Sequence, residues 1–158
     1  MTARAQERSV QHGTFVIEKT LRHPPAKVFH AFADMDAKKT WFGGPDGWTQ
    51  GERSFDFREG GREIDVGGPP GQWTSRFDCT YSEIIPDERI VYTYEMKIDG
   101  VRISVSVATI EFRPDGAGTK LVLTEQGVYL DGHAAEGHAS REHGTRWLIG
   151  KLEASLDA

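Results

Sequence analysis

The chain has 158 residues, 37% of them hydrophobic and 27% charged, which is typical of one globular domain and unlike a disordered segment. A net charge of -5, with no basic run longer than Lys38-Lys39, argues against nucleic acid or an anionic membrane as the main partner. The single cysteine, Cys79, excludes an internal disulfide, and neither a secretory signal nor a bilayer-spanning apolar stretch of about 20 residues is present. We therefore expect a cytoplasmic protein with one domain over 1–158, in which 1–12 form a flexible tail.

The first quarter of the chain predicts one strand and two short helices. Thr14 to Arg22 alternates apolar and polar residues and predicts a strand that ends before His23-Pro24-Pro25. Proline is tolerated where a helix begins, because the first helical N–H groups have no partner there. Ala26 to Ala33 is therefore predicted as a helix, and Asp36 to Phe42 as a second one.

From Gly51 onward the apolar residues recur with a period of two, which predicts six further antiparallel strands in a meander. Asp99-Gly100 predicts a tight hairpin. In the strand before it, an unbroken apolar stripe faces one side: Ile90, Tyr92, Tyr94, Met96 and Ile98. In the next strand Ile103 and Val105 fall on the parity opposite to that of Ile110, so we expect a bulge near Ala108-Thr109.

The last strand and the C-terminal helix bring polar groups to the inner side. In the strand from Lys120 to Tyr129, Glu125 shares its parity with Leu121 and Leu123. A long helix is predicted from about Ala134 to Leu156, and its apolar stripe, followed backward, reaches Thr145, Arg141 and His138. A buried polar group without a partner costs about 1–3 kcal/mol. The polar part of this helix face therefore indicates that water or a ligand lies against it, or that the interior opens to solvent there.

The order of these elements and several motifs resemble the helix-grip fold of the SRPBCC superfamily, which includes START lipid-transfer domains and polyketide cyclases. Within it, the chain is most similar to the family that resembles the C-terminal domain of the activator of heat shock protein 90 ATPase. The matching segments are His23–Phe29, Trp41, Asp56–Arg62, Glu83–Val91, Gly118–Leu121, Gly144, Ile149, Leu152 and Leu156. Two positions depart from the family pattern: Cys79, where glycine is common, and Thr145, where tryptophan is common.

The resemblance implies an α+β fold, in which a curved antiparallel sheet of about seven strands wraps around the long C-terminal helix and encloses a cavity. Strand parity supplies its apolar lining, which suits a small apolar molecule. The candidates are Phe55, Phe57, Trp73, Phe77, Tyr92, Tyr94, Met96, Ile103, Val105, Leu121 and Leu123. Each of them equally fits an ordinary core position.

Polar candidates for the same cavity are Glu125, Arg141, His138, Tyr94 and Tyr129, joined by Thr145. Burial raises the pKa of a carboxyl unless a cation lies nearby, and Arg141 is the candidate cation for Glu125. His138 is the group best placed to exchange a proton with a ligand, and the tyrosines are placed to orient a carbonyl or hydroxyl group. The alternative is a structural ion pair between Glu125 and Arg141 with a solvated His138.

The sequence predicts no cofactor and no metal site. His133, His138 and His143 are five residues apart, so successive side chains turn by about 140° around a helix and do not converge on one ion. Nucleophilic catalysis is not indicated either, because no Gly-x-Ser-x-Gly elbow is present and Cys79 lies mid-strand with no histidine near it in sequence.

Three functions stay open at this point. The first is binding of a small hydrophobic ligand. The second is a cyclase, dehydratase or hydrolase activity, with Glu125, His138 and Tyr94 as acid–base groups. The third is a chaperone-interaction module, suggested by the resemblance alone. The oligomeric state is also open, with a homodimer among the alternatives.

Overall fold

The computed structural model describes residues 7–158, apart from the side chains of residues 134–136. Over this range the predicted α+β arrangement is confirmed: one strand, two short helices, six more strands and a long C-terminal helix. The elements are β1 (Val10–Leu21), α1 (Pro25–Ala33), α2 (Met35–Lys39), β2 (Thr49–Phe55), β3 (Arg62–Gly68), β4 (Ser75–Ile85), β5 (Arg89–Ile98), β6 (Val101–Asp115), β7 (Gly118–Leu130) and α3 (Ala134–Asp157).

All seven of these strands form one antiparallel sheet in the order β1-β7-β6-β5-β4-β3-β2. The consecutive strands from β2 to β7 are neighbours, and β1 closes the far edge against β7. A tight turn joins β5 to β6, where Asp99 and Gly100 have φ values of 49° and 80°, the left-handed pair that such hairpin turns require. Helix α3 packs across the concave face, mainly over β1 and β7, which matches the helix-grip arrangement.

The two short helices form a corner at one end of the sheet. Pro24 is extended and precedes α1, so the helix starts with a proline where no N–H partner is needed. Asp34 ends α1 and caps α2, because its side chain accepts a hydrogen bond from the Ala37 N–H at 3.0 Å. The indole N–H of Trp41 donates to the Ala31 carbonyl at 2.9 Å, which holds the segment after α2 against α1.

Strand β1 begins earlier than the sequence predicts. We expected 1–12 to be a tail, but β1 starts at Val10, whose partner in the ladder is Leu130. Ser9 and Arg8 also hydrogen-bond to Asp131. The polar residues before Gly13 have no hydrophobic pattern, because this part of an edge strand is exposed on both faces. The remainder of the predicted tail, 1–6, lies outside the described residues.

Strand β6 contains a bulge, but not at Ala108-Thr109, where the sequence predicts it. The β5–β6 register shifts where Met96 pairs with Ser104 and Lys97 with Arg102, which leaves Ile103 as the extra residue. No such shift occurs at Ala108-Thr109. Beyond Ile103 the inward side chains of β6 are those at even positions, beginning with Ser104. The prediction was wrong because the valines of β6 were read as inward by their hydrophobicity.

The hydrophobic core lies at the end of the sheet that α1, α2 and the C-terminal half of α3 cover. Phe29, Phe32 and Phe112 form edge-to-face pairs with ring centroids 5.4–5.5 Å apart. Leu152 and Leu156 of α3 are buried against this cluster. No described helix combines the length and hydropathy that a membrane crossing requires. The core therefore accounts for one half of the concave face and leaves the other half for a cavity.

Candidate functional site

A cavity of about 730 Å³ lies between the concave face of the sheet, the N-terminal half of α3 and the loop after α2. Its size is within the range of small-molecule sites. Most of the wall is aromatic, aliphatic or glycine. The wall residues on α1, on the sheet and in the loops between them are Phe32, Trp41, Phe42, Gly43, Gly44, Pro45, Trp48, Asp65, Trp73, Ser75, Phe77, Tyr92, Tyr94, Met96, Ile98, Ile103, Leu123, Glu125 and Tyr129. Those on and just before α3 are Gly132, His133, Gly137, Ser140, Arg141, His143, Gly144, Thr145, Trp147, Leu148 and Ile149.

Most of the side chains predicted from the sequence as cavity lining are part of this wall. They are Trp73, Phe77, Tyr92, Tyr94, Met96, Ile103, Leu123, Glu125, Tyr129, Arg141 and Thr145. Five predicted residues lie outside it: Phe55, Phe57, Val105, Leu121 and His138.

The strand register or the packing of the core explains why four of these five residues are not part of the cavity wall. Val105 points to the convex face and is 37% exposed, because the bulge at Ile103 reverses its parity. Leu121 is buried in the core beside Phe112, its partner in the β6–β7 ladder. Phe55 and Phe57 stack on each other at 5.7 Å near Tyr81, where α1 fills the space.

His138 lies on the β1 side of α3 and not in the cavity wall. Its Nε2 is 3.1 Å from the Thr14 carbonyl oxygen, and its ring lies over Gly13, where a Cβ atom would collide with it. Phe15 and Tyr129 flank the ring at 5.8 and 6.2 Å. His138, which the sequence predicts as a cavity residue, is thus not part of the cavity wall, and its ring occupies the space that a side chain at position 13 would fill.

A row of small residues crosses the middle of the concave face. Tyr94 of β5 pairs with Ser106, Ser106 with Gly127, and Gly127 with Gly13 of β1. The next row carries Ala108, which is fully buried. Because these positions have little or no side chain, long polar groups from the neighbouring strands and from α3 have room to meet above β6.

Tyr94, Glu125, Arg141 and Ser104 form a hydrogen-bonded chain in that space. The Tyr94 hydroxyl donates to Oε1 of Glu125 at 2.8 Å and accepts from Nη1 of Arg141 at 2.9 Å. Nη2 of Arg141 donates to the Ser104 hydroxyl at 2.8 Å. The guanidinium also lies 5.5 Å from the ring centroids of Tyr94 and Tyr129. Glu125 and Arg141 therefore do come together, but through Tyr94 and not as a direct ion pair.

Burial shifts the pKa values of the titratable groups in and beside this hydrogen-bonded chain. Burial raises the pKa of the Glu125 carboxyl, and the Arg141 charge and the Tyr94 hydrogen bond oppose that rise. Burial also raises the pKa values of Tyr94 and Tyr92, so both phenols keep their protons and act as donors. The site therefore offers neutral phenols, one guanidinium and one buried carboxyl.

Several polar atoms here have no partner. Oε2 of Glu125, the Ser106 hydroxyl and the Tyr129 hydroxyl are buried and make no hydrogen bond to any described residue. Within the same part of the chain, nothing lies at hydrogen-bonding distance from the Tyr92 hydroxyl, and Tyr92 is only half-buried in the cavity wall. Tyr92 therefore differs from Tyr94, whose hydroxyl both donates a hydrogen bond to Glu125 and accepts one from Arg141.

Two glycines of α3 shape the helical side of the cavity. A Cβ at Gly137 would lie 2.5 Å from the Tyr129 ring, so glycine lets the helix approach β7 closely. A Cβ at Gly144 would meet nothing within 4 Å, because it would project into the cavity. The sequence indicated neither role, since both depend on what lies opposite the helix.

Exposed tryptophans surround the opening. Trp73 is 37% and Trp147 is 43% exposed, and both are part of the cavity wall. Trp48 packs edge-to-face on Trp73 with ring centroids 5.1 Å apart. Trp73 precedes β4 in a loop and does not belong to the strand in which the sequence placed it.

A second buried polar cluster lies behind the cavity, and the sequence did not indicate it. Nζ of Lys38 is 2.5 Å from Oε1 of Glu63 and 3.2 Å from the Tyr81 hydroxyl, and all three side chains are almost fully buried. The ammonium group also lies 4.5 Å from the centroid of the Phe42 ring, which belongs to the cavity wall. The cluster therefore ties α2 and the loop after it to β3 and β4.

Comparison with known proteins identifies relatives over nearly the whole chain. The family model described as activator of Hsp90 ATPase homolog 1-like protein matches residues 22–157. A Rhizobium loti protein of known crystal structure is 44% identical, with 93% of this chain and 99% of that chain covered and a TM-score of 0.84. A Rhizobium leguminosarum protein is 40% identical over 96% of this chain and 98% of that one, with a TM-score of 0.89. A Chromobacterium violaceum protein is 26% identical over 92% and 97% of the two chains, with a TM-score of 0.76. None of the curated proteins searched matches the chain.

Proposed function

The chain belongs to the family of activator of Hsp90 ATPase homolog 1-like proteins, and on that premise we propose that its cavity binds a small hydrophobic molecule. The observation that carries the proposal is the wall itself: aromatic and aliphatic side chains surround about 730 Å³, and the hydrogen-bonded chain of Tyr94, Glu125 and Arg141 lies at one side. A concave, mostly apolar site with a few convergent polar groups is the usual form of a small-molecule site.

The hydrophobic effect supplies the driving force. Moving an apolar ligand from water into such a wall gains roughly 25 cal/mol per Å² of apolar surface removed from water. The flat faces of Phe77, Tyr92 and Trp73 suit an aromatic or otherwise planar ligand, since ring contacts add to the burial energy.

Native mass spectrometry of the purified protein tests the proposal, together with titration of ethylnaphthalene followed by calorimetry. We expect a co-purified apolar molecule that is released on denaturation, or saturable binding of ethylnaphthalene to protein that is empty. A protein that arrives empty and binds neither ethylnaphthalene nor its acetyl and carboxylate analogues would contradict the proposal.

The geometry favours this function over acid–base catalysis. The catalytic hypothesis needs Glu125, Tyr94 and His138 around one ligand, but His138 lies against Gly13 and Thr14, outside the wall. The Tyr94 hydroxyl already donates a hydrogen bond to Glu125. A chaperone partner, a homodimer and a cytoplasmic location stay predictions from the sequence and from the family resemblance.

A further inference from the structure

We infer that the ligand of this cavity is an uncharged molecule with a carbonyl group, whose oxygen accepts a hydrogen bond from the Tyr92 hydroxyl. The inference rests on the proposed function, because it concerns the ligand of the same cavity. It follows from which donors in the wall are free and from the balance of charge around them.

Tyr92 and Arg141, the two residues with donors left over, both neighbour Tyr94. The rings of Tyr92 and Tyr94 have centroids 5.9 Å apart, and the Arg141 guanidinium lies 5.5 Å from the Tyr94 ring. The Tyr92 hydroxyl makes no hydrogen bond among residues 7–158, and a phenol, whose ordinary pKa is about 10, keeps its proton near neutral pH. Arg141 uses one N–H of each Nη on Tyr94 and Ser104, which leaves three of its five N–H groups without a described acceptor.

A carbonyl oxygen fits this arrangement because it has two lone pairs and no proton. It can accept from the Tyr92 hydroxyl, and the rest of the ligand needs no polar group to match the apolar wall. Donors that a ligand leaves unpaired in a dry site cost free energy, so a hydrocarbon of the same shape should bind less tightly.

The charge of the wall argues against a carboxylate ligand. The described ionisable wall residues are Arg141, Glu125, Asp65 and two histidines, so two carboxyl groups accompany a single guanidinium. Glu125 already lies one hydrogen bond beyond Tyr94 from Arg141, where its carboxyl group offsets the guanidinium charge when it is ionised. An anionic ligand at Arg141 would bring a further negative charge into this low-dielectric region, which is unfavourable.

Three probes of nearly equal shape test the inference: acetylnaphthalene, ethylnaphthalene and naphthoate. Their affinities are measured by calorimetry for the wild-type protein and for Tyr92→Phe, which keeps the ring and removes only the hydroxyl. Tyr81→Phe is the matched control, because Tyr81 is the ladder partner of Tyr92 but its hydroxyl binds Glu63 outside the cavity wall.

We expect acetylnaphthalene to bind most tightly and Tyr92→Phe to weaken it about threefold to tenfold, the effect of one lost hydrogen bond, while ethylnaphthalene binding does not weaken. The infrared carbonyl band of bound, isotope-labelled acetylnaphthalene should lie at lower wavenumber in the wild-type protein and in Tyr81→Phe than in Tyr92→Phe.

The outcomes separate the two proposals. If acetylnaphthalene and ethylnaphthalene bind equally and the carbonyl band is the same in Tyr92→Phe, the cavity still binds apolar molecules but the carbonyl inference is wrong. Preference for naphthoate would also overturn it, in favour of an anionic ligand. If none of the three probes binds, the proposed function fails and the inference fails with it.

Discussion

The Tyr94 hydroxyl of β5 lies 2.8 Å from Oε1 of Glu125 on β7, although β6 runs between the two strands. Strands two apart in a sheet are separated by about 10 Å, so both side chains have to reach across the middle strand. They can do so because β6 presents Ser106 and Ala108 there, opposite Tyr94 and Glu125 respectively. The small side chains of β6 thus leave the room in which these polar groups meet and form one side of the cavity.

Removal of the Tyr94 hydroxyl should destabilise the protein. In Tyr94→Phe, Glu125 loses its one hydrogen bond to a described side chain while its carboxyl stays buried, so we expect a loss of about 1–3 kcal/mol in the free energy of unfolding. Urea unfolding measures it. Tyr129→Phe is the control, because the Tyr129 hydroxyl has no described partner, and its effect should stay within about 0.5 kcal/mol. Equal effects of the two substitutions would contradict the assigned role of Tyr94.

Glu125 should make the protein less stable as the pH rises. Its pKa is raised by folding, so above the ordinary glutamate value of about 4.3 the folded state binds more protons than the unfolded state, and stability falls until the pH passes the folded pKa. Glu125→Gln replaces the carboxyl group by an amide, which does not titrate, and so removes this pH dependence. The difference in unfolding free energy between wild type and variant should therefore shift against the wild type as the pH rises above the ordinary glutamate pKa. A difference that does not change with pH would show that folding leaves this pKa where it was.

A side chain at Gly144 should block the cavity. Leucine at this position would project into open space in the wall, so Gly144→Leu should weaken ethylnaphthalene binding at least about tenfold. Gly150→Leu is the matched control, since Gly150 lies on the same helix with nothing near its Cβ position and outside the wall. Both variants replace a helical glycine and should gain helix propensity, so lost binding cannot be attributed to unfolding. Similar affinities of the two variants would place the ligand elsewhere.

The buried pair of Lys38 and Glu63 should show strong coupling. Lys38→Met leaves the Glu63 carboxylate buried without its cation, which should cost about 3–5 kcal/mol of unfolding free energy. Adding Glu63→Gln should recover part of this loss, because the uncompensated charge is then gone. Arg146→Met, which breaks the exposed Arg146–Glu142 pair on α3, should change stability far less. Additive effects at Lys38 and Glu63 would contradict the buried ion pair.

Cys79 should be unreactive in the folded protein. Its side chain is 1% exposed, and burial raises the pKa of its thiol to about 12, so very little reactive thiolate forms near neutral pH. Labelling with a disulfide reagent should proceed only through unfolding and become rapid in denaturing urea. Rapid labelling without denaturant would mean that the core around β4 opens readily.

The sequence by itself determined the order and type of the elements. Alternation along β5 placed Tyr92, Tyr94 and Met96 on the inner face, and helical spacing predicted α3 and the inward position of Arg141. These are short-range patterns, because the side chains of a strand alternate between its faces and those of a helix repeat every 3.6 residues. Proline, glycine and aspartate then marked the boundaries.

Only the tertiary structure decided which inward residues border the cavity and which fill the core. The bulge at Ile103 turned Val105 outward, and the helices at one end covered Phe55 and Phe57. Because Gly13 has no side chain, the His138 ring has room to lie against β1, outside the cavity wall. Each outcome depends on the size of side chains on strands distant in sequence, and local periodicity carries no information about what faces a residue across the fold.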